Sequence, residues 1–72
     1  MSAKAKIVEF VSFCIEQYAQ ARHLSGAAVA ALLARCDGLD YLARGYDVLH
    51  TMGRQWLVEE VGDYLQSRGM VA

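Results

Sequence analysis

The stretch that decides the fold is residues 3–22, AKAKIVEFVSFCIEQYAQAR. Its apolar side chains recur at spacings of three and four residues, at Ile7, Val11, Cys14, Tyr18 and Ala21. An α-helix places residues at these spacings on one face, and lysine, glutamate, glutamine and serine occupy most of the other positions. The segment therefore predicts an amphipathic helix with a broad buried face that the rest of the chain must cover.

Helix start and stop signals divide the rest of the chain. Ser25 can cap a helix through its hydroxyl, and Gly53 can begin the last helix, with Thr51 as a competing cap. Gly38 and Gly69 stand where left-handed C-caps are expected. The chain has no proline and no alternating strand pattern. The prediction is an all-α fold, one domain over 1–72, built as a compact bundle of four to five short helices: 3–22, 26–36, 39–44 stopped by Gly45, a further turn at 46–50, and 54–68.

Gly62 is the exception within the last predicted helix, because glycine there costs about 1 kcal/mol relative to alanine. Close approach of another backbone would explain its presence.

The composition predicts surplus apolar surface. A chain of 72 residues buries only about 60% of the surface that it exposes when unfolded. Yet 56% of these residues are hydrophobic. Either a well-filled bundle absorbs them, or the excess forms an apolar surface for a protein partner or a second copy.

Charge and hydropathy exclude several classes of protein. The net charge is −1 with no run of like charges, so the sequence shows no obvious basic face of the kind that nucleic-acid binders usually have. No apolar run approaches the roughly 20 residues of a membrane span. Residues 1–6 lack the apolar core of a signal peptide, so a cytoplasmic location is expected.

No motif indicates catalysis, a metal or a cofactor. Gly-rich phosphate loops, HExxH and CxxC are missing, and Cys14 and Cys36 are expected to be separate small hydrophobes. Asp47 and His50 lie three residues apart and could contact each other on a helical turn. Nothing in the sequence places a nucleophile beside them, so hydrogen bonding at helix ends is the simpler interpretation.

Two aromatic residues lie off the buried stripes. Phe13 falls toward the polar side of the first helix, and Trp56 lies beside the main stripe of the last one. Such residues either pack at the edge of a core or anchor an interface.

Three blocks of sequence resemble a bacterial family of small helical proteins of unknown function. They are Phe13-Cys14-Ile15-Glu16-Gln17-Tyr18, then Leu24-Ser25-Gly26, and then Tyr46-Asp47-Val48-Leu49-His50-Thr51 followed by Val58-Glu59-Glu60-Val61. The resemblance implies a helical protein often encoded beside an ADP-ribosyltransferase-like protein, in a toxin–antitoxin-like or effector–adaptor pair. It supplies no catalytic residues.

The leading hypothesis is a non-enzymatic protein-interaction module, an antitoxin-like or adaptor partner of an ADP-ribosyltransferase-like protein. Its proposed contacts are Phe13, Tyr46, Asp47, His50, Thr51 and Trp56. One alternative is a DNA-binding regulator with a loose helix-turn-helix around 36–38, although Arg44 is the only cation of its recognition helix. Another is a homo-oligomeric structural protein.

Overall fold

The computed structural model describes residues 2–70 and confirms the all-α prediction, with no strand in that range. The five helices are α1 (Ala3–Arg22), α2 (Gly26–Arg35), α3 (Gly38–Arg44), α4 (Tyr46–Leu49) and α5 (Arg54–Ser67). No helix over residues 2–70 is both long enough and apolar enough to cross a membrane.

Helix α1 is the element on which the others pack. Its ends are set locally: Ser2 Oγ accepts a hydrogen bond from the Ala5 amide at 3.1 Å, and His23 adopts a left-handed conformation with φ of 57°. The Leu24 amide then closes the helix by donating to the Ala19 carbonyl at 2.9 Å. His23 thus occupies a conformation in which glycine is more usual.

The core lies along one face of α1, which contacts α2, α3 and α5, whereas α4 contacts α3. Of the predicted stripe on α1, Cys14 and Tyr18 are buried and Ala21 is exposed. The buried core residues are Phe10, Cys14, Tyr18 and Ala19 from α1, Val29 and Leu33 from α2, Leu42 from α3, Leu49 from α4, and Leu57, Val61 and Leu65 from α5.

The turn between α2 and α3 differs from the prediction. Asp37, not Gly38, adopts the left-handed conformation, with φ of 61°. Gly38 is instead the first residue of α3, and it is buried. A Cβ there would lie 2.5 Å from Leu33 Cδ2 and 3.2 Å from Leu33 Cα. Close packing of α3 on α2 therefore requires this glycine, whereas backbone conformation does not.

Helix α5 begins at Arg54 as predicted and ends at Ser67, one residue before the predicted limit. Gly53 immediately precedes the helix, and Thr51 caps nothing there because its hydroxyl donates to the Val48 carbonyl at 2.7 Å. At the other end Gly69 has φ of 75°, and the Met70 amide donates to the Leu65 carbonyl at 2.8 Å. This pair of features is a Schellman motif, which folds Met70 back onto the core.

The expected close approach of another backbone to Gly62 is wrong. The atoms closest to a Cβ at this position would be Tyr18 Cε1 at 3.4 Å and Tyr18 Oη at 3.9 Å, both in a side chain. Among residues 2–70, no backbone atom of another element lies within 4 Å of that position, so the packing of these residues does not require a glycine here.

The same substitution should therefore have opposite effects at two glycines. We expect Gly38→Ala to lower the free energy of unfolding by about 1–3 kcal/mol, because the methyl group collides with Leu33. We expect Gly62→Ala to raise it by about 0.5–1 kcal/mol, because alanine is the better helix former. Urea unfolding followed by circular dichroism measures both values. Equal effects at the two positions would contradict this packing.

Candidate functional site

The side chains of Tyr46 and His50 form a stack at α4, of which His50 is the exposed member. Their rings lie 4.4 Å apart, centroid to centroid, and are nearly parallel at 7°. His50 Nδ1 lies 2.6 Å from the Tyr46 carbonyl oxygen, and since a carbonyl only accepts, Nδ1 carries the hydrogen. In this tautomer the Nε2 atom faces away from the backbone carbonyl as the other polar atom of the ring.

The stack is attached to α1 through an aromatic contact. The Tyr46 ring meets the Phe10 ring edge to face, with centroids 5.6 Å apart and an interplanar angle of 80°. Phe10 is buried, whereas Tyr46 is half-buried and His50 exposed. The core therefore fixes one side of Tyr46 and leaves the imidazole at the surface.

Phe13 lies on the same side of α1 as these contacts. It follows Phe10 by three residues and precedes Gln17 by four, and the Gln17 side-chain carbonyl accepts a hydrogen bond from Arg54 Nε at the start of α5. Residues three and four apart are neighbours on a helix, so Phe13 lies between the contacts of α1 with α4 and with α5. Its side chain is 42% exposed. We call Phe13, Tyr46 and His50 the aromatic patch.

The other three predicted contacts lie outside the aromatic patch. Asp47 and Thr51 are exposed beside it, and no hydrogen bond or ion pair within residues 2–70 joins Asp47 to His50. Trp56 is 43% exposed. On the helix it lies to one side of Leu57, whereas the other buried residues of α5, Val61 and Leu65, lie to the other side. Sequence reasoning missed Val48, which is 63% exposed on α4.

The titratable groups near these elements offer little nucleophilic chemistry. Burial raises the pKa of the Cys14 thiol to about 11, so this cysteine stays protonated at neutral pH. Cys36 directs its sulfur at the Leu32 and Leu33 carbonyls. Over residues 2–70, no group of three or more histidine, cysteine, aspartate or glutamate side chains is arranged to hold a metal ion.

A match to a family model covers residues 9–68 and carries the description "Protein of unknown function (DUF3791)". The chain belongs to the DUF3791 family. The matched range includes every residue of the aromatic patch and all of α2 to α5. Comparisons with curated proteins and with solved structures gave no significant match for this DUF3791 protein.

The segment proposed as a helix-turn-helix is formed by α2, the turn at 36–37 and α3. The α3 helix spans only seven residues. Arg44, its cation, forms an ion pair with Asp40 at 2.8 Å, and both side chains are mostly exposed. Arg44 is the only cation of α3, so this helix offers few phosphate contacts.

A tyrosine network joins α3 to α5 in this DUF3791 protein. The Tyr41 hydroxyl donates to Glu60, and the Tyr41 ring stacks on Tyr64 with centroids 4.5 Å apart. The Tyr64 hydroxyl donates to the Cys36 carbonyl at 2.8 Å. The hydrogen bond to Glu60, together with partial burial, raises the pKa of Tyr41 to about 12.

The network predicts a specific loss of stability at alkaline pH. The folded state favours neutral Tyr41, so this contribution is complete below about pH 10 and is lost as the pH rises toward about 12. The free energy of unfolding of the wild-type protein should fall more steeply across that range than that of Tyr41→Phe. Urea titrations at stepped pH measure the difference, and parallel curves would contradict the assignment.

Proposed function

We propose that this DUF3791 protein is a non-enzymatic interaction module that binds a protein partner through the aromatic patch. The observation that carries the proposal is the exposure of Phe13 one helical turn after Phe10, whose ring contacts the Tyr46–His50 stack. Aromatic side chains are enriched among the residues that dominate binding energy at protein interfaces. A half-buried tyrosine held by the core also loses little side-chain entropy on binding.

The proposed partner is an ADP-ribosyltransferase-like protein encoded beside this chain in a bacterium. The resemblance of the 13–18, 24–26 and 46–51 blocks to such family members supports this choice. In that pairing the DUF3791 protein is the antitoxin-like or adaptor member, and both proteins act in the cytoplasm.

A binding role fits the chemistry at the aromatic patch better than catalysis does. The imidazole of His50 is turned onto Tyr46, and its Nδ1 is taken up by a carbonyl of its own helix. General base catalysis needs a nucleophile within hydrogen-bond reach, and the buried Cys14 thiol is protonated. An imidazole stacked at the surface can instead offer Nε2 to a donor on a partner.

Two other functions make different predictions. A DNA-binding regulator should retard its promoter in a gel shift, with affinity that falls as salt is added. The presence of a single cation, Arg44, on α3 weakens that case. A homo-oligomer would cover the same aromatic patch with a second copy, and its sedimentation coefficient would rise with protein concentration.

Substitutions in the aromatic patch should reduce partner binding without unfolding the protein. We expect Phe13→Ala and His50→Ala each to weaken binding to the adjacent gene product at least about tenfold, or about 1.4 kcal/mol. Isothermal titration calorimetry with the co-expressed, purified partner measures the affinity. Because both side chains are exposed, melting temperatures should change little.

Val8→Ala is the matched control. Val8 is an apolar residue of α1 that is 56% exposed but lies outside the aromatic patch. Its substitution should leave the affinity unchanged. If Val8→Ala weakens binding as much as Phe13→Ala does, or if the patch variants bind normally, the aromatic patch is not the interface.

A further inference from the structure

A groove separate from the aromatic patch runs between the end of α1 and the length of α5. Its volume is about 470 Å³, within the range of sites that hold small ligands or single side chains. The residues that matter for its chemistry are Tyr18, Arg22, Glu59, Gly62, Asp63 and Met70. Sequence reasoning missed this groove because its walls are separated by more than thirty residues of chain.

The floor of the groove carries a polar group without a partner in the described chain. Tyr18 is only 2% exposed, and its hydroxyl makes no hydrogen bond with any of residues 2–70. Tyr18 lines the groove, and its hydroxyl oxygen lies 3.9 Å from the position that a Cβ at residue 62 would take.

Gly62 keeps the space above this hydroxyl open. A Cβ at residue 62 would make ordinary contacts with Tyr18, so the fold does not need glycine there. A glycine inside a helix nevertheless costs about 1 kcal/mol. Glycine at residue 62 leaves this space empty, and a larger side chain would fill it.

The charges of the groove favour a cationic occupant. Glu59 and Asp63 are exposed and lie one turn apart on α5. Arg22 lies on the opposite wall, with its guanidinium 5.7 Å from the centre of the Tyr18 ring. Two carboxylates and one guanidinium leave the described lining with one negative charge in excess. No ion pair within residues 2–70 joins these three groups. Gln55 donates to one Glu59 oxygen at 2.9 Å without neutralising it.

We propose that the groove accepts a lysine side chain of the protein partner. The ammonium group binds Asp63, Glu59 and the Tyr18 hydroxyl, and the four-carbon stem passes over Gly62 against Val58 and Met70. One added cation balances the excess negative charge. The inference rests on the proposed function, since it names a chemical feature of that partner at a second contact.

The test uses a small probe, Nα-acetyl-lysine methylamide, titrated to tens of millimolar into the full ¹⁵N-labelled chain. The amide of Gly62 should shift and saturate with the lysine probe. The norleucine analogue, which has the same stem and no charge, should leave it unmoved. Asp63→Asn should weaken binding about two- to fivefold, as expected for an exposed ion pair. Glu9→Gln, an exposed glutamate of α1 outside the groove, is the matched control and should bind the probe as wild type does.

Gly62→Leu fills the groove, so the amide at residue 62 of this variant should not shift when the lysine probe is added. Circular dichroism confirms that its helices remain. The proposal is overturned if lysine causes no shift at Gly62, if norleucine binds equally, or if Asp63→Asn binds like Glu9→Gln. Failure of the lysine probe while Phe13→Ala still weakens partner binding removes this inference alone. Loss of the Phe13 effect would remove the proposed function instead.

Discussion

The structure depends on the burial of one face of α1. Phe10, Cys14 and Tyr18 are almost fully removed from solvent along this face, and α2, α3 and α5 reach the core by packing on α1. Burying side chains of this size contributes about 1.5–3 kcal/mol each. A single core in so small a domain leaves a stability margin of only about 3–5 kcal/mol. No other helix has enough length or contacts to organise the fold in its place.

The two surfaces of interest are consequences of how α1 is covered. Short elements, α4 and the start of α5, cover one edge and leave Phe13 and His50 at the surface. The later part of α5 covers the end of α1 around Tyr18 but carries a glycine, Gly62, next to the Tyr18 side chain. The patch is aromatic and the groove is charged, so in the proposed complex the patch would contribute affinity and the groove charge selectivity.

The sequence predicted most of the fold because helix boundaries are set by local chemistry. The Ser25 hydroxyl accepts from the Ala28 amide at 3.0 Å, as its cap signal indicated. Prediction failed where a glycine served tertiary packing, since the contact of Gly38 with Leu33 leaves no local signal. Phe13 could be singled out from the sequence because it breaks the periodic pattern of apolar residues in α1. The groove was missed because periodicity within one helix cannot show which residues of α1 and α5 face each other.

The brevity of α4 has a consequence for recognition. It spans four residues, buries only Leu49 and contacts chiefly α3. Such a segment can detach at a free-energy cost well below that of global unfolding. Detachment would carry Tyr46 and His50 away from Phe13 while the four longer helices stay docked. A partner that binds this region would then bind the docked conformer. Its apparent affinity would be lower than its affinity for that conformer, in proportion to the fraction of molecules in which α4 is docked.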